Sequence, residues 1–298
     1  MNEYDEPELL AVPVRGGDLT VAKWGGGEVV VIAEHGVTGS HRDWVDVAEQ
    51  LAGDVTLLAP DLRGRGGSST LPGPYSMETH ADDLVATLDH FGIDRAVVAG
   101  HSMGAWAAAT TADLHPARVT GLLMVDGAIP LPLDLPPGLS VEDTVQAILG
   151  PSLDRLRMTF PSRAAYNDYW RAHPGLAPYW NERIEARVQY DLAGADPEWR
   201  SVVSLEAVIG DSTSQLTDEK TGTAYERSSC PTVWLWAERG MFDQTPGLYP
   251  REVVNEYAQR LPHVEVHGVD DVNHWTILLS ERGAGIVAGH VRRLAGLE

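Results

Sequence analysis

The fold class that this chain predicts is α/β, with a mostly parallel central sheet covered by helices. Three observations predict it. Short runs of consecutive apolar residues recur, as in strands buried on both faces. Stretches with helical spacing stand between them, the alternation that builds parallel strand–helix–strand units. The alternation stops at about residue 128, resumes at about 230, and so brackets an inserted segment.

Residues 10–14 and 19–24 read as strands joined at Gly16-Gly17-Asp18, an antiparallel hairpin at the sheet edge. Val29-Val30-Val31-Ile32-Ala33 is a buried strand that ends at His35-Gly36. Trp44, Val47, Ala48 and Leu51 have helical spacing within 43–51, and the strand at 55–59 then ends at Pro60-Asp61. Residues 77–91 form a second amphipathic helix, with Leu84, Val85, Leu88 and Phe91 on one face. The strand Arg95-Ala96-Val97-Val98-Ala99 runs into Gly100-His101-Ser102-Met103-Gly104, and the alanine-rich helix follows. A further strand, 121–125, ends at Asp126-Gly127.

From 128 to 229 the segment opens on Pro130, Pro132, Pro136 and Pro137 and continues with helix-like stretches rich in aromatics. Those aromatics are Tyr166, Tyr169, Trp170, Tyr179, Trp180, Tyr190 and Trp199, and a minority of them are expected to face a pocket below. The domain organisation that follows is a core of residues 1–127 and 230–298 with a helical cap at 128–229. Strands at 232–236 and 264–267 and a last helix over 277–294 complete the core.

A formal net charge of −21 argues against nucleic acid or an anionic membrane as partner, because both repel an acidic protein. Cys230 is the only cysteine, so no intrachain disulfide or cysteine metal site is expected, and the thiol is read as buried and inert. Residues 1–8 are acidic rather than basic and then apolar, so no secretory signal is expected. With no apolar stretch of membrane-spanning length, the expectation is a cytoplasmic protein. No heptad seam or exposed apolar strand specifies an oligomeric state.

Ser102 carries most of the chemistry. Gly-x-Ser-x-Gly at a strand-to-helix junction is a nucleophile elbow, whose tight turn leaves room only for glycine beside the serine. The elbow also presents the hydroxyl at a helix N-terminus, where developing negative charge is stabilised. An alcohol needs a base, and the chain offers eleven histidines. His274 stands after the last strand and before the last helix, where a loop can return an imidazole to Ser102. His101 is read as a packing or orienting residue, and His35 as support for the loop it begins.

His35-Gly36, the Asp61-Leu62-Arg63-Gly64-Arg65-Gly66-Gly67-Ser68 turn, the Ser102 elbow and the late His274 together resemble the α/β-hydrolase superfamily, over nearly the whole chain outside the cap. That resemblance implies the α/β-hydrolase fold and a triad in the chain order Ser, acid, His. The acid usually follows the strand after the cap, where this chain reads Ala237-Glu238-Arg239-Gly240 and puts Gly240 in the acid's place. Some superfamily members carry the acid one strand after the elbow instead, which here is Asp126. Asp243 is the competitor and Glu238 a third candidate; Asp126 is preferred. The oxyanion donors that the family implies are the backbone N–H groups of Val37 and Met103, with Gly39, Ser40 and Trp44 completing the first loop.

The expected activity is hydrolysis of carboxylic esters or lactones through an acyl-enzyme, with no metal or organic cofactor. The expected partner is a small hydrophobic or aromatic substrate. A serine at the elbow excludes dehalogenase and epoxide hydrolase chemistry, which relatives perform with aspartate there. A carbon–carbon bond hydrolase of the meta-cleavage type is the alternative enzyme, since some of these place Trp after the catalytic His, as His274-Trp275 does. A ligand-binding receptor on the same fold is the non-catalytic alternative.

Overall fold

The computed structural model describes residues 6–132 and 138–297. Pro136 and Pro137 of the proline-rich opening, and the first five residues of the acidic N-terminus, lie outside them. Up to the insertion the chain runs β1 (Glu8–Val14), β2 (Gly17–Trp24), β3 (Val30–Glu34), α1 (Val45–Leu51), β4 (Thr56–Pro60), α2 (Met77–His90), β5 (Ala96–His101), α3 (Met103–Leu114) and β6 (Val119–Val125). Between β6 and the next core strand come α4 (Val141–Arg157), α5 (Arg163–Arg171), α6 (Glu182–Tyr190), β7 (Leu192–Ala195), β8 (Glu198–Ser201), α7 (Leu205–Thr217) and α8 (Glu219–Gly222). The chain closes with β9 (Thr232–Arg239), α9 (Arg251–Arg260), β10 (Val264–Asn273), α10 (Thr276–Leu279) and α11 (Glu281–Leu294).

Eight strands form the central sheet in the order β1-β2-β4-β3-β5-β6-β9-β10. The β1–β2 and β2–β4 pairs are antiparallel, and every later pair is parallel. The continuous apolar runs are explained by two separate cores, because side chains alternate between the faces of a strand. Val31, Ala33, Val97 and Ala99 pack with α1 and α11, whereas Ile32 and Val98 pack with α2, α3 and α9. A sheet covered on both sides leaves its carboxyl edge as the place where a cleft can form.

Several elements differ from the sequence expectation. The first turn is shorter, since β2 already begins at Gly17 and only Arg15 and Gly16 connect the strands. The last helix is two helices, because Ser280 is extended and its side chain caps α11 at the Gly283 N–H. The helix α9 was not anticipated, and neither was the β7–β8 hairpin in a segment expected to be helical. Asp196-Pro197 closes that hairpin, and the strands beside it are too short for a period to show. Cys230 is half-buried rather than buried, with Sγ 3.3 Å from the Ser228 hydroxyl just before β9.

Candidate active site

The β5–α3 junction is a tightly constrained turn. Ser102 has φ 55° and ψ −123°, a positive φ that a serine adopts only when its surroundings compel it. A Cβ on Gly100 would lie 2.1 Å from the Gly104 oxygen, and one on Gly104 would lie 2.3 Å from the Glu34 oxygen. Both flanking glycines are therefore required by close backbone approach. The Ser102 N–H donates to the Val125 oxygen at 2.9 Å, which ties the elbow to the end of β6.

The residue after β6 is Asp126, fully buried, with its N–H on the Leu235 oxygen at 2.7 Å. One carboxylate oxygen, Oδ1, accepts the Ala237 N–H at 3.0 Å. The other, Oδ2, lies 2.7 Å from His274 Nδ1. An ionised carboxylate there accepts the Nδ1 proton, which leaves Nε2 as the basic nitrogen. His274 follows β10, and its carbonyl accepts from His101 Nε2 at 2.9 Å. The His101 ring stands 4.6 Å from the His274 ring, and burial followed by the His274 charge holds its pKa well below the usual imidazole range. The protein thus keeps His101 uncharged against its neighbour.

Asp243 engages different partners. It accepts from Asn273 Nδ2 at 2.9 Å and pairs with Arg239 Nε at 2.9 Å. Glu238 accepts the Asp271 N–H at the surface. Neither carboxylate lines the cavity described next.

Ser102, Asp126, His274, Val37 and Met103 all line one cavity of about 670 Å³. Its walls are mainly aliphatic, with Leu131, Val145, Ile148, Leu149 and Leu216 contributed by the inserted segment. Ser212, Gln215, Asp218 and Glu219 make a polar side. The seven aromatics expected to supply some of the lining do not supply it; Trp106 of α3 is the aromatic that does. Tyr166, Tyr169 and Trp170 instead form an edge-to-face cluster with Phe160, and Tyr190 packs on His41. These rings pack on one another and on neighbouring protein segments, and the aliphatic side chains of α4 face the pocket. Trp275 is a packing residue too, with its Nε1 donating to the Met241 oxygen at 2.9 Å and its ring against Trp170.

The loop after β3 is held by its own first residue. His35 Nδ1 donates to the Gly36 oxygen at 2.7 Å, and Nε2 accepts the Leu62 N–H at 3.0 Å. Burial lowers the His35 pKa to about 4, consistent with a neutral ring that uses one nitrogen as donor and one as acceptor. The Gly36 oxygen also accepts the Gly39 N–H at 2.9 Å. Because a peptide's C=O and N–H point in opposite directions, these bonds fix the direction of the Val37 N–H. The Met103 N–H is one of the orphan donors in the first turn of α3. Trp44 is fully buried in the core beneath this loop.

Sequence reasoning missed Arg65. Its guanidinium is fully buried, and its Nε donates to the Val37 oxygen at 3.0 Å. It also missed Trp106, whose place in the first turn after the elbow is the signal that would have directed it to the site.

Known proteins agree with this architecture. The profile of the family described as alpha/beta hydrolase fold matches residues 29–281. Lipase LipV of Mycobacterium tuberculosis is 27% identical over 239 residues, which cover 70% of this chain and 88% of that protein. Epoxide hydrolase B of the same species is 30% identical over 160 residues, 49% of this chain but only 41% of that protein. Among solved structures, E-2-(acetamidomethylene)succinate hydrolase aligns with a TM-score of 0.77 at 19% identity, over 98% of this chain and 100% of that one. The thioesterase domain from the curacin biosynthetic pathway aligns at 0.74 and 20% identity, over 97% and 99%. At such identities the structural likeness concerns the fold.

Proposed function

This chain belongs to the alpha/beta hydrolase fold family, and we propose that it is a serine hydrolase that cleaves carboxylic esters or lactones through an acyl-enzyme. The observation that carries the proposal is the 2.7 Å contact between His274 Nδ1 and Asp126, on the cavity that Ser102 also lines. In this reading residues 1–127 and 230–298 form the catalytic core, and 128–229 the cap over it.

Neutral His274 takes the Ser102 proton at Nε2 as Oγ bonds to the acyl carbon. The carbonyl π pair moves to oxygen, and the Val37 and Met103 N–H groups receive that oxyanion. Asp126 keeps the imidazolium oriented and compensated. The tetrahedral centre collapses, the bond to the leaving oxygen breaks, and His274 protonates the departing alcohol. Water then attacks the acyl-enzyme, gives a proton to His274, and releases the acid as Ser102 recovers its proton. In a lactone both products stay in one molecule.

The serine supports acyl chemistry over the epoxide opening named for one relative, since a serine alkyl ether formed from an epoxide would resist hydrolysis. Trp275, the residue that suggested a carbon–carbon bond hydrolase, donates to the Met241 oxygen and packs on Trp170 rather than lining the cavity, which gives the ester or lactone reading its preference over that alternative. The cavity's aliphatic walls favour a hydrophobic acyl or alcohol group of modest size.

Turnover of p-nitrophenyl butanoate tests the reading. The wild-type protein is expected to hydrolyse it, and Ser102→Ala to lose the rate by about 10³-fold or more. A serine-reactive fluorophosphonate should add one mass adduct to the wild type and none to the variant. Turnover that survives Ser102→Ala would remove Ser102 as the nucleophile, and a protein that takes no adduct and hydrolyses no ester or lactone would leave a ligand receptor as the better reading.

A further inference from the structure

We infer that Arg65 is a positioning residue of the oxyanion hole, and that Asp211 in the inserted segment holds it in register. The inference rests on the serine hydrolase reading above and adds to it a route by which the insertion controls the rate. Arg65 lies in the 61–68 turn after β4. Its Nε donates to the Val37 oxygen at 3.0 Å, and its Nη1 to the Arg63 oxygen at 2.7 Å. Its Nη2 sits 3.7 Å from Met103 Sδ. One guanidinium therefore touches both residues whose N–H groups would receive the oxyanion.

The contact to Val37 matters most. The Gly36 carbonyl is already held by His35 and Gly39, which sets the peptide that carries the Val37 N–H. The next carbonyl, that of Val37, takes a charge-assisted bond from Arg65. The Arg65 bond anchors the second peptide of residue 37, so both peptides that meet at its Cα are tied, and loss of Arg65 would leave the Val37 N–H held from one side alone.

Arg65 is itself held from above. Its Nη1 also pairs with Asp211 on α7, and both side chains are fully buried. The second Asp211 oxygen lies 2.9 Å from His80 Nε2 on α2. Burial pushes the Asp211 carboxyl up, but the His80 and Arg65 charges outweigh it and hold the pKa below the usual carboxylate range. α7 is seated on the same turn by its backbone as well, with the Ser204 N–H donating to the Gly64 oxygen at 2.8 Å.

Because Asp211 neutralises the guanidinium, Arg65 acts by orientation rather than by adding positive potential at the oxyanion. The two roles predict opposite results for Asp211→Asn. Uncovering a cation would raise the rate, whereas loosening a positioning residue lowers it.

The experiment measures kcat, KM and inhibition by an alkyl trifluoromethyl ketone, whose serine adduct carries an oxyanion. Wild type, Arg65→Lys and Asp211→Asn are compared, with the thermal midpoint of each. Both variants should lose kcat by about 10- to 100-fold, below the loss of a whole donor, with KM changed little. The ketone Ki should rise by a similar factor. Unchanged kcat and Ki in both variants would overturn the inference, as would a faster Asp211→Asn enzyme. Activity lost only in proportion to unfolded protein, with the ketone Ki of the folded fraction unchanged, would reduce both residues to structural ties. Absence of ester turnover in the wild type would instead break the reading on which the inference rests.

Discussion

His274 has one carboxylate against its Nδ1, and the identity of that carboxylate decides how the site is built. Asp126 is reached from β6, β9 and the segment after β10 at once: its backbone N–H bonds to Leu235, its Oδ1 takes the Ala237 N–H, and its Oδ2 faces the imidazole. Asp243 is spent on Asn273 and Arg239. Asp126→Asn keeps the shape but removes the charge, and an amide N–H turned toward the ring would favour the wrong tautomer. The expected outcome is a fall in kcat of about 10³- to 10⁴-fold on p-nitrophenyl butanoate. Asp243→Asn should cost a few degrees of thermal midpoint at most, about what the loss of 1 kcal/mol does in a chain of this size, and leave kcat nearly intact. A large kcat loss in Asp243→Asn with a mild one in Asp126→Asn would exchange the two assignments.

Within single elements, β3 shows most plainly a departure from the apolar pattern that its own strand sets. Val31 and Ala33 point to one core and Ile32 to the other, so position 34 falls where an apolar residue belongs. Glu34 occupies it, fully buried, with neither carboxylate oxygen hydrogen-bonded. Burial, then the charge of Asp83, pushes its pKa well above the usual carboxylate range. The folded protein therefore keeps a proton that the unfolded chain has released. Stability from this group is complete below the ordinary pKa of about 4.5 and is lost as pH climbs toward the folded value. Glu34→Gln cannot ionise, so its thermal midpoint should gain on the wild type between pH 5 and pH 8. A midpoint difference that stays constant over that range would mean that Glu34 is not held protonated. The same elements explain what the sequence could disclose. The elbow and the apolar strands are legible because their signals are contiguous: Gly100 and Gly104 flank the serine they serve. Asp126 is preferred over Asp243 from the sequence only through the resemblance, because the residue contact that separates them, His274 Nδ1 against Asp126, is through space. Arg65 was invisible for the same reason, since Asp211 lies 146 residues away. The aromatics of the insertion misled because ring composition cannot tell packing against helices from packing against a ligand.

Over the whole molecule, charge is the property that reaches furthest from the site. The chain carries a formal net charge of −21, and the acidic residues lining the cavity are Asp126, Asp218 and Glu219, with no Lys or Arg among the described lining residues. A substrate bearing a carboxylate therefore meets repulsion on approach and finds no Lys or Arg among the described lining residues to offset its desolvation. The p-nitrophenyl monoester of succinate should accordingly show a much lower kcat/KM than p-nitrophenyl butanoate, which has the same acyl chain length without the charge. Salt distinguishes the cause. Raising ionic strength from about 0.01 M to about 0.1 M shortens the screening length from about 30 Å to about 10 Å. The anionic ester should then gain several-fold in kcat/KM while the neutral one barely changes. If the succinate ester matches the butanoate at low salt, or loses rate as salt rises, the cavity holds an anion-binding group that its lining does not reveal.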